Sequence, residues 1–176
     1  MTHLRITLDW RMVLLFCVGF GWIIATRIPD SRPITHTTGA RIPSLDLQLL
    51  DGTPQNTASL IGAPVVVTIW ASWCPTCRAA MPFWERNAAD FAHKGVTLIA
   101  LNQREALQTV QRAQAEFPPN LTVWSDPNGL FLQFLQSTDL PTTAFIDRSG
   151  HVVSVVRGPV SGAVVTAMID QLTSDK

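Results

Sequence analysis

Apolar and polar positions change their spacing several times along this chain, and each change marks an element. Residues 12–26, MVLLFCVGFGWIIAT, carry no charge and lie between Arg11 and Arg27. Leu45, Leu47 and Leu49 alternate with Asp46 and Gln48 and lead into Asp51-Gly52, the pattern of a small β-hairpin ahead of the main fold. Val65 to Trp70 is a continuous, largely β-branched run, which predicts a central strand covered on both faces. After it the period becomes helical, with Met81, Trp84, Ala88 and Phe91 on one face and Pro82 placed to kink the helix. Val96 to Leu101 reads as a second buried strand, Glu105 to Phe117 as a second helix, Leu121 to Trp124 as a short strand and Leu130 to Leu135 as a further helical piece. Thr142 to Ile146 and Val152 to Val156 flank Asp147-Arg148-Ser149-Gly150 as a hairpin, and a last helix runs from about Ser161, a suitable N-cap, to Leu172. Strands that alternate with helices and end in a hairpin and a helix predict an α/β fold with helices on both faces of one sheet.

The uncharged run near the start admits two readings. As a helix it is about 22 Å long at 1.5 Å per residue, short of a hydrocarbon core of roughly 30 Å. It also has the size of a signal-peptide apolar region, but Ile23-Ile24-Ala25-Thr26-Arg27 offers no good small-x-small cleavage site. Arginines that snorkel and tryptophans at the interface, here Trp10 and Trp22, let a short run span, so an uncleaved signal anchor is the favoured reading. A buried helix of a soluble domain is the weaker one, because a helix apolar on all faces has no side to show to water. His3, Arg5 and Arg11 precede the run, whereas Arg27 and Arg32 follow it with Asp30 between them, which places the N-terminus inside. The expected organisation is a cytoplasmic tail at 1–11, a transmembrane anchor at 12–28, a Pro- and hydroxyl-rich linker at 29–39 and a domain at 40–176 outside the cytoplasm, in a bacterial periplasm. Cys17 lies within the run as a small hydrophobe, and Phe16 before it is too bulky for a lipid-modified cysteine.

Composition narrows the function. With 13 Lys and Arg against 13 Asp and Glu, the chain lacks the clustered positive charge that phosphate binding needs, so nucleic acid is excluded as a partner. A length of 176 residues with 47% hydrophobic content fits a single domain with a sizeable core. No segment invites self-pairing, so a monomer is expected.

The chemistry centres on Trp73-Cys74-Pro75-Thr76-Cys77, placed after the buried strand and at the start of a helix. Unpaired N–H groups and the positive end of the helix dipole favour a thiolate on the first cysteine, so Cys74 should attack and Cys77 resolve. Zinc would need four ligands, which Cys17 in the apolar run and His36, His93 and His151 at scattered positions do not supply, so no metal is expected. A purely structural disulfide closes too small a loop to be a useful staple. Two unrelated thiols are a poor account of a strand, a Cys-x-x-Cys and a helix in that order. Redox exchange through the cysteine pair, with no other cofactor, is the reading that remains.

Here the sequence resembles the thioredoxin superfamily and, within it, the membrane-tethered ResA, TlpA and CcmG (DsbE) branch. The resemblance covers roughly residues 40–174 and rests on Trp70-Ala71-Ser72-Trp73-Cys74-Pro75-Thr76-Cys77-Arg78, on Pro82, and on Leu140-Pro141-Thr142-Thr143 with Phe145-Ile146-Asp147. It implies a thioredoxin-like fold with a central mixed sheet, carrying the hairpin as an N-terminal extension and a single transmembrane helix. It further implies a cis Leu140-Pro141 bond beside the dithiol, and a substrate surface formed by Trp73, Pro75, Thr76, Leu140 and Pro141. The implied function is reduction of protein disulfides, such as those of apocytochrome c before haem attachment, with electrons from a membrane thiol donor. A general oxidant or isomerase, or a redox-silent chaperone-like module, are the alternatives.

The departures bear on direction. Thr68 and Ala100 stand where thioredoxin has a buried Asp and its Lys partner, and Ala80 stands where this branch carries an acid. No carboxylate is thus expected beside the thiols, which would ease thiolate formation and move the pair toward a more oxidising potential. Glu85, at helical spacing, reads as a solvated charge, and Arg78 either favours thiolate modestly or is solvated.

Overall fold

The structure, a computed structural model, describes residues 39–116 and 121–174. The expected tail, anchor and linker up to residue 38, with Cys17 and His36, lie outside the described residues, as does Phe117. Among the described residues no helix is long and apolar enough to cross a membrane.

Seven strands form one mixed sheet: β1 (Asp46–Leu49), β2 (Pro54–Asn56), β3 (Val65–Trp70), β4 (Thr97–Gln103), β5 (Thr122–Asp126), β6 (Thr142–Ile146) and β7 (Val152–Arg157), in the order β2-β1-β5-β4-β3-β6-β7. β3, β4 and β5 run parallel, while β6, β7 and the β1–β2 hairpin are antiparallel to their neighbours. The hairpin turns as expected at Asp51-Gly52: Gly52 takes φ +86°, and the Asp51 carboxylate accepts from the Thr53 amide at 2.8 Å. It does more than precede the fold, because Gln48 and Leu49 pair with Ser125 and Trp124 and extend the sheet.

Every residue of β3 is buried, which is why its sequence shows no alternation. Val66 and Trp70 pack on one face against Cys77, Met81 and Trp84 of α1 (Pro75–His93), Val110 and Ala113 of α2 (Leu107–Gln114), and Val165 and Ile169 of α4 (Gly162–Ser174). Val65, Val67 and Ile69 pack on the other face with Phe131 and Leu132 of α3 (Leu130–Phe134). Helix α1 continues through Pro82. The second helix is shorter than expected: Ala106 is its N-cap, so Glu105 lies outside it, and its described end is Gln114. β5 also continues two residues past Trp124, to Asp126. Ser161 caps α4 as read, its hydroxyl accepting from the Val164 amide at 3.4 Å.

Candidate functional site

The site grows out of the end of β3. After Trp70 the chain turns through Ala71, Ser72 and Trp73, and the Cys74 amide donates to the Ala71 carbonyl at 3.1 Å. Cys74 is the N-cap of α1: its backbone is extended, its Sγ accepts from the Cys77 amide at 3.2 Å, and Pro75 fills the first helical position, where no N–H is needed. Cys74 and Cys77 are joined as a disulfide, with Cα atoms 5.3 Å apart. Both are buried, while Pro75 and Thr76 are exposed, and the Thr76 hydroxyl lies 3.4 Å from Cys74 Sγ.

The two tryptophans of the motif part company. Trp70 is fully buried in the core, and Trp73 is 66% exposed beside Cys74. Across the helix start a groove of about 320 Å³ is lined by Thr76, Ala80, Phe83, Trp84, Pro141 and Val160 among others, none of its lining residues ionisable. Leu140-Pro141 is cis, and Pro141 lines this groove together with Thr76. The loop is held by Gly158, whose amide donates to the Pro141 carbonyl at 2.7 Å, and by Thr142, whose hydroxyl donates to the Asp139 carbonyl at 2.7 Å. The structure thus brings Cys74, Cys77, Thr76 and Pro141 to one end of the sheet. Leu140 is half-buried next to them. Glu85 lines a separate hollow with Ala88, Ala92 and Leu98, and Arg78 is paired with Glu116 at 2.6 Å. His93 ends α1 and His151 sits in the β6–β7 hairpin, and among the described residues no group of three His, Cys, Asp or Glu side chains is placed to hold a metal.

Sequence reasoning missed one carboxylate here. Glu105 accepts from the Ser72 amide at 2.6 Å, from the Ser72 hydroxyl and from Asn102 Nδ2 at 2.7 Å. Glu105 thus holds the turn that leads into Cys74, a role that its place in the sequence did not suggest. The available signal was register: Trp70 and Asn102 are parallel neighbours, so the residues that follow each strand emerge side by side. Reading Glu105 as the first residue of a helix hid that.

A parallel-centred sheet, a dithiol at the N-terminus of the following helix and a cis-proline opposite it define a thioredoxin-like α/β protein. The redoxin family model matches residues 37–170, and the chain belongs to that family. It is similar to the thiol-disulfide oxidoreductase ResA of Bacillus subtilis, 27% identical over 92% of this chain and 89% of that one. It is likewise similar to the thiol:disulfide interchange protein HelX of Rhodobacter capsulatus, 25% identical over 92% and 91%. Among solved structures, a thiol:disulfide interchange protein DsbE from Chlorobium tepidum superposes with a TM-score of 0.71 at 25% identity, covering 79% of this chain and 99% of that one. The chain is a thiol–disulfide oxidoreductase of the ResA and DsbE type, and its redox group is its own cysteine pair.

Proposed function

We propose that this chain is a membrane-anchored, extracytoplasmic reductase of protein disulfides in which Cys74 attacks and Cys77 resolves. The observation that carries the reading is the placement of Cys74 Sγ at the N-cap of α1, where the Cys77 amide points at it. A thiolate there is stabilised by the helix terminus and is the nucleophilic form. In the reduced enzyme, Cys74 thiolate attacks one sulfur of the substrate disulfide, forming the mixed disulfide as the other substrate sulfur leaves with the electron pair. Cys77 then loses its proton and attacks Cys74 Sγ; the enzyme disulfide forms, the mixed disulfide breaks, and the second substrate sulfur leaves as thiolate and is protonated. Two electrons pass from the enzyme dithiol to the substrate.

Trp73, Pro75, Thr76, Leu140 and Pro141 form the surface on which the substrate chain lies. Trp73 offers an exposed apolar face beside Cys74, and the cis-proline shares a groove with Thr76. The substrate class favoured is an extracytoplasmic protein with closely spaced cysteines, apocytochrome c being the leading candidate, and a membrane thiol protein restores the dithiol. The anchor at 12–28, the cytoplasmic tail at 1–11, the linker at 29–39 and the single catalytic domain at 40–176 are part of the proposal, resting on hydropathy and charge bias. The form proposed is a monomer in a bacterial inner membrane.

The test is substrate capture. Full-length Cys77→Ser protein is incubated with an apocytochrome c whose haem-binding cysteines are disulfide-bonded. The expected product is a mixed disulfide through Cys74 that dithiothreitol releases. No adduct with apocytochrome c, under conditions in which a small disulfide reacts with Cys74, rejects that substrate. Resistance to alkaline extraction tests the anchor, and a mature chain starting near residue 27 in the soluble fraction rejects it.

A further inference from the structure

Glu105 stands at the C-terminal end of β4 and reaches across to the turn that presents Cys74. Its carboxylate accepts from the Ser72 amide at 2.6 Å and from Asn102 Nδ2 at 2.7 Å, while the Ser72 hydroxyl also donates to it. Asn102 is itself fully buried beside Trp70, so the clamp is anchored in the sheet. The turn it grips is closed by the bond from the Cys74 amide to the Ala71 carbonyl at 3.1 Å. The carboxylate is thereby held by three donors, two of them on Ser72, which lies two residues before Cys74 in the chain.

The other charged side chains of the neighbouring elements have settings of their own. Arg78 is engaged with Glu116 at 2.6 Å. The Arg104 side chain packs toward Gly129, on the α3 side of the sheet end. Asp126 is buried, and its carboxylate accepts from the Phe131 amide at 2.8 Å. Glu85 lines the separate hollow, and the groove beside the dithiol carries no ionisable side chain. The helix N-terminus favours thiolate on Cys74, and an anion held on the preceding turn acts in opposition to it.

That opposition has a direction. A thiolate destabilised by a nearby anion weakens the reduced form of the pair and favours the disulfide, so the dithiol gives up its electrons more readily. We propose that Glu105 is a positioning residue that holds the Ala71–Trp73 turn and keeps the Cys74–Cys77 couple on the reducing side. It supplies from the end of β4 a charge that Ala80 on α1 does not. The inference rests on the proposed reductase reading and adds the device that sets its direction.

The test uses the full chain in a Cys17→Ser background, with and without Glu105→Gln. Glutamine keeps the length and one carbonyl acceptor for the Ser72 amide and removes the charge. The pair is equilibrated with glutathione buffers, acid-quenched and alkylated, and the alkylation rate of reduced Cys74 is followed against pH. Glu105→Gln is expected to shift the equilibrium toward the reduced form by about threefold to tenfold, a tenfold change being about 30 mV for this two-electron couple. It is also expected to move the midpoint of Cys74 alkylation to lower pH. If wild type equilibrates normally and Glu105→Gln changes neither readout, the role of Glu105 is overturned while the oxidoreductase reading stands. A wild-type pair that does not exchange with glutathione at all overturns both. Glu105→Ala, followed by thermal unfolding, reports the clamp separately: the midpoint should fall, and an unchanged one contradicts the positioning role.

Discussion

Thr68 and Thr143 stand directly opposite each other on β3 and β6, both buried, and neither hydroxyl has a hydrogen-bond partner among the described residues. They share the sheet face that carries Val66, Trp70 and Phe145, beneath α1. A buried hydroxyl without a partner costs on the order of 1–3 kcal/mol, whereas an apolar group of the same shape in its place is neutral or stabilising. Thr68→Val and Thr143→Val are each expected to raise stability by about 1 kcal/mol in urea unfolding. A loss of similar size would show that the hydroxyls are satisfied inside the fold.

The two cysteines should separate kinetically. With a small-molecule disulfide as substrate, Cys74→Ser abolishes the first exchange step, whereas Cys77→Ser reacts once and stalls as the mixed disulfide. Rapid mixing followed by mass spectrometry checks both. Adducts accumulating on Cys77 instead of Cys74 would reverse the assigned order.

Trp73 is a large apolar side chain left mostly in water next to the nucleophile, which costs the fold little and leaves the ring free to contact a partner. Trp73→Ala should change folding stability by less than about 0.5 kcal/mol, as surface substitutions usually do. It should raise KM for a protein disulfide by about tenfold, the scale of a truncated aromatic anchor, and leave exchange with glutathione disulfide unchanged. Equal losses on both substrates would mean that the ring acts on the dithiol and not on the substrate chain.

Asp147 ties the β6–β7 turn together: its carboxylate accepts from the Ser149 amide at 2.8 Å, the Ser149 hydroxyl at 2.7 Å and the His151 amide at 2.9 Å. Burial pushes this carboxyl up, but the Ser149 hydroxyl, the His151 and Ser149 amides and the charge of His151 together hold it below the ordinary value of 3.8. A depressed folded pKa gives stability that is complete above the unfolded pKa and is lost as pH falls through the folded one. Asp147→Asn should therefore be less stable than wild type at neutral pH, by less than about 0.5 kcal/mol for so exposed a group. The gap should close below about pH 3.8. A gap that persists at lower pH would assign the effect to packing.

Much of this was legible because it is local. The buried run Val65–Trp70, the turn at Asp51-Gly52, the final hairpin and the dithiol at a helix start each follow from a short stretch of sequence. What depends on distant pairing was not. Nothing in Leu45 to Leu49 says that this strand adds to β5, and nothing near Glu105 says that its carboxylate meets Ser72, 33 residues away in the chain. The helical period of the following residues drew Glu105 into α2, whereas the turn of β3 took it instead. Trp70 and Trp73 were separable from sequence, since one continues the strand and the other leaves it.

The most direct measurement of the central claim is acid-quenched thiol trapping of the full chain in its own cells, in a Cys17→Ser background so that only Cys74 and Cys77 report. A reductase supplied across the membrane predicts a pair found mainly reduced that becomes oxidised when the inner-membrane supply of electrons is removed. A pair found mainly oxidised, and indifferent to that supply, would contradict the account and mark the chain as an oxidant.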